Sequence, residues 1–272
     1  MRRRSASLRA IGRDRSEVMT CQLSWSVLMR GSRMTFDRSC DLTCDQHRFS
    51  WIRIRWEVSV GQLIVVSGNL GAGKTTLSSA LAMRFNGIAF SEQPAEYPYL
   101  EDMYADLRRW SFNNQLSFMT KKAEEHLRIV ESSRLGIQDR GVFETHEVFS
   151  RTFQMRGILD ARDFGTLERV LSLLRPRLTK PDALIFLYAP TDFLVSRIEQ
   201  RHRSSEHQVW PSLLDHLGRY YEAWFSCIKR EMTGRVLSVD MSKVDFVSNP
   251  LQLDDICNEV RAIVQTVSES KL

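Results

Sequence analysis

The stretch LIVVSGNLGAGKTTLSS at residues 63–79 joins an apolar run, a glycine-rich turn and the start of a helical pattern. Its eight central residues, Gly68 to Thr75, fit the pattern G-x-x-x-x-G-K-[ST]. Glycines let the backbone curl so that successive N–H groups point at phosphate oxygens, and the helix that follows adds its positive N-terminal end. The pattern therefore predicts a site for a nucleoside triphosphate. The spacing G-x-G-x-x-G of a dinucleotide site is not present here.

The side chains of this turn have separate expected tasks. Lys74 is expected to bridge the β- and γ-phosphates, and Thr75 to hold Mg²⁺. The pattern does not identify the acceptor, because ATPases, GTPases and small-molecule kinases share it. The predicted nucleotide-binding residues of the turn are Gly68, Asn69, Leu70, Gly71, Ala72, Gly73, Lys74, Thr75 and Thr76.

From Gln62 onward, short apolar runs alternate with amphipathic segments, which is typical of βαβ units and a parallel sheet. This predicts an α/β chain with a five-stranded parallel sheet flanked by helices. The expected strands are Leu63 to Ser67, Gly87 to Phe90, Gly136 to Asp139, Ala183 to Tyr188 and Arg235 to Asp240. The expected helices are Trp110 to Glu131, Ala161 to Leu174, Thr191 to Arg201, Val209 to Glu231 and Leu251 to Val267.

The positive charge is concentrated in the first sixty residues. They contain twelve Arg, no Lys and six acidic residues, whereas residues 61–272 carry 26 basic and 27 acidic side chains. We therefore predict a leader at 1–60, a separate folded domain at 61–272 and no nucleic-acid partner. The leader is either an Arg-rich transit peptide or an unstructured extension, including sequence upstream of a later start such as Met34.

The chain is expected to work in a reducing compartment and away from membranes. Its five cysteines are an odd, scattered set, which does not indicate a disulfide framework. No apolar run reaches the roughly 18 residues of a membrane helix. We predict a cytoplasmic protein, or a mitochondrial one if the leader is a transit peptide.

Several separated motifs follow the glycine-rich turn in a definite order. After the second strand come Ser91-Glu92-Gln93-Pro94 and Gln115, then Asp139-Arg140-Gly141, and finally Arg201-His202-Arg203 with Glu206. In order and spacing, from about Gly61 to Val264, the chain resembles the deoxynucleoside kinase family, which includes deoxycytidine, deoxyguanosine, deoxyadenosine and mitochondrial thymidine kinases. The resemblance implies the P-loop kinase fold with a short lid, in a deoxynucleoside kinase domain at 61–272. It implies ATP-dependent phosphorylation of the 5′-hydroxyl of a deoxynucleoside, with Mg²⁺. It also implies a homodimer, for which helices around Phe149 to Arg156 and Ala161 to Leu174 offer a face.

The resemblance implies three residues for the chemistry besides Lys74. Glu92 matches the family's catalytic carboxylate, which orients the sugar hydroxyl and accepts its proton. Asp139 would help to hold Mg²⁺, and Arg140 would neutralise charge on the transferring group and steady Glu92. Gly141 stands where the family usually has Ser.

The same resemblance implies residues that close over ATP. Arg201 and Arg203 match the arginines of a mobile lid, and Arg197 lies one helical turn before them. Arg197 is equally a basic residue that complements its own helix dipole. Asp245 and Phe246 match the loop that packs on adenine, although they would also suit a turn with a core Phe.

For the nucleoside, Tyr104 and Glu206 match the groups that bind the sugar 3′-hydroxyl, and Gln115 matches the amide that reads the base. The expected walls are Tyr97 and Phe149, although core packing would explain either aromatic residue equally well. Base choice departs from the family, because Lys122 and Thr145 occupy positions where members that use purines or deoxycytidine have Arg and Asp. Without that carboxylate, the expected pocket is tolerant and does not depend on an amine of the base.

Two other functions fit parts of the pattern. A nucleoside monophosphate kinase of the thymidylate kinase type would share the glycine-rich turn and sheet, but would need an acceptor-side Arg in place of Glu92. A non-catalytic relative with a role in structure or assembly would be free to lose Lys74, Glu92 or Arg140, and all three are present.

Overall fold

A computed structural model describes residues 61–201 and 211–269 of the chain. By internal contacts the chain divides into Met1–Val58 and Ser59–Leu272, and all described residues belong to the second unit. The predicted leader therefore lies outside the described residues, and its boundary stays a prediction.

The described residues form a five-stranded sheet in the order β2-β3-β1-β4-β5, with every neighbouring pair parallel. The strands are β1 (Leu63–Gly68), β2 (Ile88–Phe90), β3 (Gly136–Asp139), β4 (Ala183–Tyr188) and β5 (Val236–Asp240). The predicted fold class is confirmed, and each predicted strand matches an observed one to within one residue at either end.

Helices connect the strands, as parallel pairing requires. They are α1 (Lys74–Arg84), α2 (Leu100–Ala105), α3 (Leu107–Val130), α4 (Val142–Glu144), α5 (Arg151–Met155), α6 (Ala161–Leu174), α7 (Thr191–Arg201), α8 (Pro211–Glu231) and α9 (Pro250–Glu269). A single stretch of π-helix, Thr145–Ser150, joins α4 to α5. Of the two predicted lid arginines, Arg201 ends α7 and Arg203 lies in residues 202–210, outside the described residues.

Helices cover both faces of the sheet, and alternate residues of β4 point to opposite faces. Ile185 and Leu187 pack in a core with α1, α7 and α9, whereas Leu184 and Phe186 pack in a second core with α3, α6 and α8. β4 is accordingly an almost unbroken apolar run, ALIFLY, as expected for an interior parallel strand.

Local sequence explains where individual helices begin. The side chain of Asp106 accepts a hydrogen bond from the backbone N–H of Arg109 at the start of α3. Asp160 accepts from the N–H groups of Arg162 and Asp163 at the start of α6. Such caps satisfy N–H groups that have no partner within the helix.

None of the helices in the described ranges is long and apolar enough to cross a membrane.

The adjacency of β1 and β3 fixes the position of the functional residues. Val66 of β1 is in register with Asp139 of β3, so the glycine-rich turn and the turn at Arg140 leave the sheet side by side. Ligands of open parallel sheets bind outside the carboxyl ends of the strands. A ligand site is therefore expected beyond the carboxyl ends of β1 and β3.

Candidate active site

The glycine-rich turn follows β1 directly and uses conformations that favour glycine. Gly71 and Gly73 have φ angles of 79° and 90°. A Cβ atom on Gly68 would lie 2.4 Å from the carbonyl oxygen of Leu187, and one on Gly71 would lie 2.8 Å from that of Leu194. Only glycine fits at these two positions without a backbone shift. The turn is therefore built as a tight backbone cradle.

Lys74 is the first residue of α1 and is only 7% exposed. Its ammonium donates hydrogen bonds to the carbonyl oxygens of Gly68, at 2.8 Å, and Asn69, at 3.0 Å. Burial and the neighbouring Arg140 lower the pKa of Lys74, against the opposing effect of nearby carboxylates. The ammonium is thus held inside the turn, within the loop whose N–H groups face phosphate in this pattern.

Asp139 and Thr75 meet at the end of β3. The Thr75 hydroxyl donates to Oδ2 of Asp139 at 2.5 Å, and the Glu92 backbone N–H approaches the same oxygen at 3.4 Å. The other carboxylate oxygen, Oδ1, is buried and has no hydrogen-bond partner. A hydroxyl beside a carboxylate with an unused oxygen fits Mg²⁺, which prefers oxygen ligands and usually keeps several waters. In the described ranges, no three His, Cys, Asp or Glu side chains cluster as a metal site.

Glu92 and Arg140 form an ion pair at the same edge of the sheet. Arg140 Nε lies 3.4 Å from Glu92 Oε2, although the angle is not that of a hydrogen bond. The Glu92 side chain keeps 20% of its surface exposed and that of Arg140 only 6%. The guanidinium carbon of Arg140 lies 4.0 Å from the centre of the Phe149 ring. Burial alone would lower the pKa of Arg140, but Glu92 and the other surrounding acidic groups raise it above its ordinary value.

A cavity opens from the glycine-rich turn between α2, α3 and α8. Its walls include Leu70 of the turn and both members of the Glu92–Arg140 pair. The remaining lining residues are Pro94, Leu100, Met103, Tyr104, Leu107, Asn114, Gln115, Phe118, Phe149, Phe153, Leu213 and Leu217. Of the predicted site residues, the structure brings Glu92, Tyr104, Gln115, Arg140 and Phe149 together on one cavity, and their roles stay predictions.

The amide of Gln115 is fixed by a contact that sequence reasoning missed. Ser150, the last residue of the π-helical stretch, donates from its hydroxyl to Gln115 Oε1 at 3.2 Å. The stretch also carries Phe149 onto the cavity wall. A π-helical insertion shifts the direction of the side chains that follow it, and such insertions are frequent at functional sites. No signal in the sequence marks this one.

The two residues expected to influence base choice lie off the cavity wall. Lys122 is fully buried and pairs with Glu125 at 3.1 Å, and Gln138 donates to the same carboxylate oxygen at 3.2 Å. Thr145 donates from its hydroxyl to the carbonyl oxygen of Gly141 at 3.2 Å. Their part in base recognition stays a prediction. The partner Glu125 could have been suspected from its i,i+3 spacing to Lys122.

Tyr97 lies behind the cavity and does not line it directly. Its ring stacks on Phe118, a cavity residue, with ring centres 3.7 Å apart. Burial, followed by the nearby Glu92, raises the pKa of its hydroxyl, so Tyr97 stays neutral. Tyr97, which was predicted to be a wall of the pocket, therefore does not line the cavity itself, and Phe118 lines it in front of Tyr97.

The expected adenine-binding residues lie on the other side of the turn. Gly71, Gly73, Thr76, Arg197, Asp245 and Phe246 line one small cavity together. Phe246 is 5% exposed and belongs to the core, while Asp245 accepts hydrogen bonds from the N–H groups of Val247 and Ser248. The segment is therefore a turn with a core Phe that borders the glycine-rich turn, and its contact with adenine stays a prediction.

The lid residues are described only in part. Arg197 lies over the ring of Phe193, with its guanidinium carbon 5.1 Å from the ring centre, and Arg201 is an exposed residue at the end of α7. Arg203 and Glu206 lie outside the described residues.

Gly141, which replaces the usual Ser, lies against β1. A Cβ atom at this position would be 3.2 Å from Cγ1 of Val65. That separation is closer than an ordinary van der Waals contact, so a side chain at 141 requires Val65 to move by a few tenths of an ångström.

A larger cavity, of about 560 Å³, lies between α4 and α8 but is a poor candidate for the reaction. Its lining includes Val65, Val142, Leu184 and Trp224, and it reaches neither the glycine-rich turn nor Glu92. The geometry thus favours the smaller cavity.

A phosphate cradle after the first strand and a carboxylate–arginine pair across a cavity from it define a phosphotransferase of the P-loop kinase superfamily. The family model described as deoxynucleoside kinase matches residues 64–265, and the chain belongs to the deoxynucleoside kinase family. It is therefore a phosphotransferase that acts on a nucleoside, and kinase membership implies ATP as the phosphate donor.

Relatives agree with this assignment. The chain is 28% identical over 204 residues to a deoxyadenosine/deoxycytidine kinase of Bacillus subtilis, covering 74% of this chain and 93% of that one. It is 31% identical over 170 residues to a deoxyadenosine kinase of Dictyostelium discoideum, covering 62% and 69%. Among solved structures, a deoxyadenosine kinase from M. mycoides with bound dCTP superposes with a TM-score of 0.63 at 25% identity, over 74% of this chain and all of that one.

Gly71→Ala is expected to weaken ATP binding about tenfold or more, because the added Cβ meets the Leu194 carbonyl and the residue must keep a positive φ. Titration calorimetry with ATP measures the effect. Gly165→Ala in α6 is the matched control, since its Cβ meets nothing within 4 Å and its φ is ordinary. Equal ATP affinity of the two variants would contradict the geometry of the cradle.

Proposed function

We propose that the chain transfers the γ-phosphoryl group of ATP to the 5′-hydroxyl of a deoxyribonucleoside and releases the monophosphate and ADP. The observation that carries this proposal is the placement of Glu92 and Arg140 on a cavity that begins at Leu70 of the phosphate turn. A sugar hydroxyl bound there meets a carboxylate on one side and the phosphate cradle on the other. No observation favours a monophosphate kinase or a non-catalytic role.

In this proposal Glu92 acts on the acceptor. A sugar hydroxyl is a poor nucleophile, so a carboxylate within hydrogen-bond reach orients it and takes its proton as the new P–O bond forms. Arg140 holds Glu92 by the ion pair and places a positive charge next to the transferring group. The partly exposed side chain of Glu92 is consistent with a group that must meet a substrate.

Lys74 and the N–H groups of the turn act on the donor. Phosphate oxygens would replace the two carbonyl oxygens that Lys74 now contacts. Thr75 and Asp139 would hold Mg²⁺, which when bound neutralises charge on the phosphates. Arg197 and Arg201, with Arg203 beyond the described residues, would add cations over the nucleotide.

The nucleoside pocket is proposed to use a small set of polar groups on an apolar wall. Gln115, held by Ser150, faces the cavity with its amide and would read the base edge. Tyr104 lines the same cavity and would bind the 3′-hydroxyl together with Glu206. Phe118 and Phe149 offer faces on which a base stacks.

Glu92→Gln and Lys74→Ala are each expected to lower kcat by about two orders of magnitude or more, because one removes the proton acceptor and the other a phosphate cation. A coupled assay of ADP release measures kcat. Glu96→Gln is the control, since Glu96 is exposed and its carboxylate pairs with Lys121 at the surface. A Glu92→Gln enzyme as fast as Glu96→Gln would rule out the catalytic assignment.

We also propose that the pocket tolerates several bases. Lys122 and Gln138 engage the buried carboxylate of Glu125, and Thr145 donates to a backbone carbonyl. Among the described residues that line the cavity, Glu92 is the one carboxylate, and the proposed reaction uses it. None of these residues therefore offers a free carboxylate to an exocyclic amine of a base.

Steady-state kinetics with deoxyadenosine, deoxyguanosine, deoxycytidine and thymidine test this proposal. The kcat/KM values are expected to lie within about a hundredfold of one another, since one unmatched polar contact costs roughly 1–3 kcal/mol. Thymidine is the decisive substrate because it lacks the amine. Strict use of deoxycytidine or deoxyadenosine alone would contradict a tolerant pocket.

The chain is further proposed to be a cytoplasmic homodimer that packs through α5 and α6. Met155 and Leu173 on these helices are 68% and 80% exposed, which is consistent with a surface that a second copy covers. Light scattering of the purified chain is expected to give twice the mass of one chain, and a monomer at micromolar concentration would exclude the dimer.

The proposed cytoplasmic location is consistent with the cysteines. Cys227 and Cys257 are free thiols, as in a reducing compartment.

A further inference from the structure

Glu144 and Tyr221 form a buried pair that the proposed reaction does not yet use. Glu144 is the last residue of α4 and has no exposed surface, and Tyr221 in α8 is 1% exposed. The Tyr221 hydroxyl donates a hydrogen bond to Oε1 of Glu144. Burial, followed by the charge of Glu144, raises the pKa of Tyr221, so its hydroxyl keeps the proton that it donates.

The Glu144 carboxylate also accepts hydrogen bonds from two backbone N–H groups. Gly68 donates to Oε1 and Gly141 to Oε2, each at 3.3 Å. The three donors belong to three separate segments: the first residue of the phosphate turn, the turn after β3, and α8. One side chain therefore ties together the parts of the chain that surround the phosphate cradle.

Each backbone contact lies next to a buried cation of the site, Lys74 or Arg140. The carbonyl oxygen of Gly68 accepts from the Lys74 ammonium, and Gly141 directly follows Arg140. Arg140 has a φ of 66°, a left-handed conformation that is unfavourable for a residue with a side chain and needs support from its surroundings. Glu92 and, to a smaller extent, Glu144 raise the pKa of Arg140, and Glu144 opposes the lowering of the pKa of Lys74 by burial and Arg140.

Neither residue lines the cavity that holds Glu92 and Gln115. Tyr221 instead meets the ring of Phe149, a cavity residue, edge to face with centres 6.0 Å apart. A second contact joins the phosphate turn to α8, since the Asn69 side chain donates to the carbonyl oxygen of Leu214 at 2.9 Å. The pair can therefore influence the reaction only through the groups it holds.

We propose that Glu144 and Tyr221 are positioning residues, which fix the phosphate turn and the Arg140 turn relative to each other and to α8, and thereby set the rate of phosphoryl transfer. This inference rests on the proposed function. Nucleoside binding depends on the other walls of the cavity, so turnover changes when the pair is broken while the KM for nucleoside does not.

Tyr221→Phe is the first test, because it removes one hydroxyl and leaves the ring against Phe149. The expected result is a fall in kcat of about tenfold, the worth of one buried hydrogen bond to a charged group, with the KM for the deoxynucleoside within about twofold. Tyr220→Phe is the matched control. It makes the same chemical change one residue earlier in α8, on a side chain that lines the larger cavity, and is expected to leave kcat unchanged.

Glu144→Gln is the second test, because it keeps the shape and replaces one acceptor oxygen by an amide that must face a donor. The expected fall in kcat is about a hundredfold. Combining it with Tyr221→Phe is expected to cost no more than Glu144→Gln alone, since both changes break one network. Additive losses would show that the two residues act separately and would overturn the pair as a unit.

A purely structural role predicts a different outcome. Tyr221→Phe would then lower the melting temperature while the folded enzyme kept the kcat of Tyr220→Phe, and that result would overturn the proposal.

If the wild-type chain phosphorylates none of the four deoxynucleosides, the proposed function is wrong, and the positioning proposal is tested in another way. Calorimetric ATP affinity then tests the pair: binding at least about threefold weaker in Tyr221→Phe than in Tyr220→Phe supports positioning of the phosphate turn. Equal affinity overturns it.

Discussion

Two buried cations and the carboxylates that compensate them are the constraint on which this structure depends. Lys74 and Arg140 are 7% and 5% exposed, and a buried charge is tolerated only when it is paired or hydrogen-bonded. Glu92, Asp139 and Glu144 lie close enough to act on both cations, and they supply the opposite charge. The folded chain therefore keeps an array of cations beside unused carboxylate oxygens, which is an arrangement suited to a ligand that carries both phosphates and a metal ion.

The parallel sheet is what brings these charges together. β1 and β3 are neighbours in the sheet although residues 69–135 lie between them in the chain, and Val66 is in register with Asp139. The phosphate turn continues from one strand and Arg140 from the other. The helices then divide the space: α1 and α9 cover one face of the sheet, and α3 and α8 cover the other, where the nucleoside cavity opens.

The sequence predicted the parts of the site that depend on short, continuous stretches of residues. The phosphate turn carries its own pattern, and the strands are short apolar runs bounded by polar residues, so both were identified from periodicity and composition. Glu92, Gln115 and Arg140 needed the resemblance to a family, because nothing local separates a catalytic carboxylate from a solvated one. The structure brings all three to one cavity.

What the sequence could not predict depends on contacts between distant residues. Glu144 and Tyr221 are 77 residues apart in the chain. In the sequence pattern, each is an ordinary polar residue of an amphipathic helix. The π-helical turn that places Ser150 against Gln115 has no compositional sign. Lys122 was expected to face the base because of its place in the motif, but an acid three residues later competes for its ammonium.

The close approach of Gly141 to Val65 links the turn after β3 to the interior of β1. A side chain at 141 requires Val65 to move by a few tenths of an ångström, so the freedom of β1 to yield decides whether a serine fits here. The glycine is therefore better understood through the packing of two neighbouring strands than as the loss of a hydroxyl group alone.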